Sequence, residues 1–127
     1  MRISLVLLCL LNSALAIAQG AEFSFLEDTH YLPEIVEGDS VSFTYAFTNT
    51  GDSALTIESI EMCHCIQANW PRHAIEPGES GTIEVTFFSK EMVGQQKKAL
   101  LIWYNQQTIP FKLRFAITVE KARRKAR

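Results

Sequence analysis

Hydrophobic and polar positions alternate with period two along most of this chain, and helical spacing is almost absent. Val41, Phe43, Tyr45 and Phe47 alternate with Ser42, Thr44, Ala46 and Thr48, the pattern of a strand with one buried face. Asn49-Thr50-Gly51-Asp52 follows with residues that tolerate left-handed backbone angles, so the chain turns there. Ala54 to Ile60 reads as the next strand. Near its end the apolar register moves from Leu55 and Ile57 to Ile60 and Met62, a move that a bulge produces. Glu76-Pro77-Gly78-Glu79 is a turn, and Thr82 to Phe88 is a strand with Ile83, Val85 and Phe87 facing inward. The unbroken apolar run Ala99 to Tyr104 predicts a strand buried on both faces, with Trp103 in the core. After Asn105-Gln106-Gln107, the residues Phe111, Leu113, Phe115, Ile117 and Val119 alternate with Lys112, Arg114 and Thr118. Phe23 and Phe25 give a short first strand, and His30 falls in a loop. Six or seven short strands with polar turns predict two packed antiparallel sheets, an all-β sandwich.

The N-terminus follows a different pattern. Arg2 precedes the apolar run Ile3 to Leu11, and the small-residue sites Ala14-Leu15-Ala16 and Ala16-Ile17-Ala18 follow. This predicts a secretory signal peptide over residues 1–18, cut after Ala18, with Ala16 as the second site. The apolar run falls short of the roughly 20 residues of a spanning helix, so an integral membrane protein is not expected. Leu8 precedes Cys9 where lipidation requires a small residue, and no twin arginine is present. Residues 19–119 then form one domain with one core. Between Gln19 and Val119 six Lys/Arg face thirteen Asp/Glu, a balance of −7; residues 120–127 carry five basic against one acidic, +4. An acidic body argues against nucleic acid as a partner. The basic tail has the composition for weak contact with an anionic surface.

Cys63 and Cys65 are the thiols left after export, with His64 between them and Met62 before them. In an exported protein the simplest state of the pair is a disulfide. Residues i and i+2 of an extended strand have Cα atoms about 7 Å apart, at the upper limit for a bridge, so a bulge or turn at His64 is required. Such a small ring adds little stability and suits a redox couple as well as a staple. The third alternative is metal. Side chains two apart share a strand face, so both thiolates can meet one soft ion, Cu(I) or Zn, with Met62 and with His64 if the backbone bends. His73 and Met92 are further candidate ligands. Trp70, Arg72 and His73 lie in a connection whose aromatic and guanidinium groups suit a partner contact. Neither a nucleophile elbow nor a phosphate-cradling glycine loop is present in the sequence.

Taken in order, Glu37-Gly38-Asp39, Phe47-Thr48-Asn49-Thr50-Gly51, Cys63-His64-Cys65, Ile75-Glu76-Pro77-Gly78, Ile83-Glu84-Val85-Thr86-Phe87 and Gly94 with Lys97-Lys98 resemble the bacterial family called domain of unknown function 1573. The resemblance spans about residues 23 to 119. It departs at His64, where the family usually has glycine, at Met62 and Ile66, which replace polar residues, and near Ala116, where a glycine is usual. It implies export and an immunoglobulin-like antiparallel β-sandwich of about seven strands, of the major-sperm-protein and Hydin type. The resulting expectation is an exported, periplasmic or secreted, non-enzymatic binding module whose partner is another envelope or extracellular protein. The alternative is a thiol-redox or soft-metal protein built on Met62, Cys63, His64 and Cys65.

Overall fold

A computed structural model describes residues 20–123. The predicted signal peptide, Cys9 and the last four residues of the basic tail lie outside the described residues. Among the described residues the chain forms nine strands and no helix: β1 Phe23–Phe25, β2 Thr29–Tyr31, β3 Ile35–Val36, β4 Ser40–Asn49, β5 Ile57–Glu61, β6 Ile66–Asn69, β7 Ser80–Phe88, β8 Gly94–Tyr104 and β9 Phe111–Glu120. One sheet has the order β1-β4-β7-β6; the other has the order β2-β9-β8-β5, with β3 also on β9.

The antiparallel pairs β4–β7 and β8–β9 form the centre of each sheet. Inward residues of both sheets fill one core, in which Tyr45, Phe47, Ile83, Val85 and Phe87 meet Leu100, Ile102, Leu113, Phe115 and Ile117. Rings bridge the layers, with Phe115 against Phe43 at 4.9 Å and Phe87 at 5.5 Å. The Tyr45 hydroxyl donates to the Arg114 carbonyl across the sandwich at 2.6 Å. Burial, with the Asp28 charge adding to it, pushes this phenol well above its ordinary pKa.

The first strands depart from a simple antiparallel plan. β1 lies antiparallel on β4, and Leu26 N still donates to Ala46 O. Two residues later Asp28 O accepts from Arg114 N, so the chain has changed sheets, and β2 and β3 both run parallel to β9. Pro33 has no N–H to offer the ladder, and it falls in the gap between these two short strands. His30 is therefore in a strand and not in a loop. Its ring faces inward, 4.4 Å from the Tyr45 ring. The predicted bulge is present, as a register shift against β8 between Ile57 and Ser59.

The turn Asn49-Thr50-Gly51 is built around a fully buried amide. Asn49 Nδ2 donates to the carbonyls of Ser53 (2.8 Å) and Ile75 (2.9 Å), while its Oδ1 accepts from Gly51 N (3.0 Å) and Glu22 N (3.3 Å). Asn49 O accepts from Gly78 N, where a positive φ of 84° suits the glycine of the Pro77-Gly78 turn. One side chain thus ties the N-terminal strand, the turn after β4 and the approach to β7 together.

Candidate functional site

The cysteine pair sits where the chain passes from one sheet to the other. β5 ends at Glu61 on an edge of its sheet, and β6 starts at Ile66 on an edge of the opposite sheet. The four residues between them turn sharply, with Ile66 N donating to Cys63 O at 3.1 Å and Phe88 N to Cys65 O at 2.9 Å. This turn brings the Cα atoms of Cys63 and Cys65 to 5.2 Å, and the two sulfurs form a disulfide. Cys63 and His64 face solvent, whereas Cys65 is 8% exposed and belongs to the core cluster.

A ring of three residues removes little entropy from the unfolded chain. Replacing both cysteines by serine is expected to lower the unfolding free energy by about 1.6 kcal/mol in urea titrations. A loss above about 3 kcal/mol would show that Cys65 packing, and not ring closure, dominates.

In the disulfide state neither sulfur offers a free thiolate. Met62 is half-buried and lines the depression beside Cys63, His73 is exposed in the connection after β6, and Met92 packs on the core from the other side of β7 in sequence. Among the described residues no three His, Cys, Asp or Glu side chains converge on a point that would hold a metal. Trp70 is half-buried and packs against the core at the end of β6, and the Arg72 guanidinium stacks on its ring at 3.9 Å. Arg72 and His73 are exposed beside it.

Trp103 is not in the core. β8 is buried on one face, through Leu100 and Ile102, while Leu101 and Trp103 are half-buried on the other. That outer face is the feature the sequence left unread. Its register sets Tyr31, Ala116 and Lys97 in one row, Thr29, Arg114 and Ala99 in the next, and Lys112, Leu101 and Glu61 in the third. Period-two alternation marked Lys112 and Arg114 as outward, but only pairing shows that they share a face with Leu101 and Tyr31.

Two twisted sheets with this order, packed face to face over one core, define an immunoglobulin-like sandwich. The chain belongs to the family described as protein of unknown function, DUF1573, whose profile matches residues 23–119. Among solved structures it is similar to a protein of unknown function from Porphyromonas gingivalis W83, with a TM-score of 0.66 and 16% identity over 83% of this chain and 50% of that one. It is also similar to the ASH/PapD-like domain 7 of human CEP192, with a TM-score of 0.60 and 9% identity over 82% of this chain and 87% of that one. The Vibrio cholerae VesB protease matches with a TM-score of 0.57 and 17% identity, over 77% of this chain and 31% of that one. These likenesses show the fold; the chain spans half of the P. gingivalis protein and under a third of the protease. No curated protein sequence matches it. No helix among the described residues is long and apolar enough to cross a membrane.

Proposed function

We propose that this chain is an exported, non-enzymatic module that binds another envelope or extracellular protein. The observation that carries this reading is Arg72, exposed and held in place by stacking on Trp70, beside the open edge strand β6. A guanidinium already ordered on an aromatic ring loses little entropy on contact, and such pairs dominate interface energetics. Export is supported by the N-terminal sequence and by the disulfide at Cys63 and Cys65.

Capture from envelope extract with the full chain is expected to return a partner that Arg72→Ala retains at least about tenfold more weakly. Arg72 is exposed, so the variant is expected to keep wild-type circular dichroism. No partner under conditions that keep weak complexes would overturn the reading, and equal capture by the variant would remove Arg72 from the interface.

Thiol–disulfide exchange has one observation in its favour, the exposure of Cys63 beside a buried Cys65. A partner thiolate attacking Cys63 Sγ would form a mixed disulfide and release the Cys65 thiolate. A pair that stays oxidised in excess glutathione removes that reading.

A further inference from the structure

We infer that the outer face of the β5-β8-β9-β2 sheet is a docking trough for an acidic, extended segment of a partner protein. The inference rests on the binding-module reading and names the partner's chemistry.

Charge is the first observation. Of the six Lys/Arg between Gln19 and Val119, four lie on β8 and β9: Lys97, Lys98, Lys112 and Arg114. Lys97, Lys112 and Arg114 point outward and are exposed. Among the described residues none of them forms a salt bridge. In a body of net charge −7, these three unpaired cations outnumber Glu61, the carboxylate in the row of Lys112 and Leu101, and invert the local sign.

Shape is the second. A depression of about 210 Å³ is lined by Thr29, Tyr31, Lys97, Arg114 and Ala116. Another of about 410 Å³ is lined by Glu61, Met62, Cys63, Ala99, Leu101 and Lys112. Arg114 and Ala99 are register partners, so the two depressions adjoin across the β8–β9 pair. The small side chains of Ala99 and Ala116 form the floor. Tyr31, at 83% exposure, stands at one end, and Met62 and the disulfide stand at the other. Apolar floor, aromatic wall and flanking cations match an amphipathic anion.

The spacing favours an extended peptide. Lys112 and Arg114 are two apart on one strand and so roughly 6.4–6.8 Å apart along it, the repeat of alternate side chains in a partner strand. Carboxylates at alternate positions share one face of an extended peptide and can then meet both cations, while an apolar group two residues further along the same face enters a depression. A membrane fits less well. Leu101 and Trp103 are half-buried and do not protrude, and the acidic body is repelled by anionic headgroups.

The test is selection of short random peptides on the full chain, compared with a Lys112→Gln/Arg114→Gln variant and with Lys90→Gln, an exposed lysine away from the trough. Both changes spare the Arg114 carbonyl that Tyr45 uses, so wild-type melting is expected and checked. The expected result is enrichment of Asp or Glu at alternate positions. Selected peptides should bind the double variant at least about tenfold more weakly, lose affinity in high salt and bind the Lys90→Gln variant unchanged. Selection without acidic bias, binding unaffected by the double variant, or stronger retention on phosphatidylglycerol vesicles than on the acidic peptides would overturn the inference. If the partner captured from extract depends on Arg72 but not on Lys112 and Arg114, the binding module stands and this trough does not.

Discussion

Asn49→Ala is expected to lower the unfolding free energy by about 3 kcal/mol, because it deletes a buried amide that makes four hydrogen bonds. The side chain is 0% exposed. Removing it strips acceptors from the amides of Gly51 and Glu22, a donor from the Ser53 carbonyl, and leaves a void between the two turns. The Ile75 carbonyl keeps the bond from Leu55 N, which limits the loss. Asn49→Asp tests the chemistry against the shape. The new carboxyl keeps the volume and both acceptor bonds but sets an oxygen against the carbonyls of Ser53 and Ile75. The Asp variant should therefore be at least as damaged at neutral pH. Burial raises the pKa of that carboxyl, and its protonated form regains a donor, so the deficit should shrink as pH falls through the raised value. Urea titrations of both variants at two pH values decide the matter. A deficit below about 1 kcal/mol for the alanine variant would refute the role given to Asn49.

Phe115→Ala should cost more, about 4 kcal/mol, since truncating a fully buried ring costs roughly 3–5 kcal/mol. Phe115 is 1% exposed and projects from β9 into the rings of Phe43 and Phe87 on the opposite sheet. The change removes apolar area and also the aromatic contacts between the two layers. A melting midpoint lower by roughly 20 °C is the expected reading for a domain of this size. Phe115→Leu, which refills much of the space, should recover more than half of that loss. Equal damage from both substitutions would point to ring-specific contacts in place of volume.

The long strands were legible because each buries one face only, so β4, β7 and β9 carry their orientation in alternate residues. The bulge at Ile57 to Ser59 was legible for the same reason, since an extra residue shifts the parity of every inward position after it. β2, β3 and β6 were not. Runs of two to four residues are too short to establish a period, and β2 and β3 exist because β9 offers them an edge. Trp103 was misplaced because an apolar run is compatible with burial on two faces, whereas here the second face is only half-covered. The cysteine turn was half legible. Spacing demanded a bend at His64, but only the passage between sheets explains why the bend occurs there. The trough could not be read at all, because Tyr31, Lys97 and Arg114 are far apart in sequence and meet through strand pairing alone.

Thr29 is paired with Arg114, and Ile35 with Val119. The second and third strands are therefore fastened to the last, across a separation of some 85 residues in the first of these pairs. A ribosome releasing this polypeptide vectorially would deliver β1 to β8 before the template for β2 and β3 existed. Such closure is entropically costly and places assembly among the slower sandwich topologies. The final strand thus acts as a latch, and a chain lacking it would forfeit β2 and β3 too.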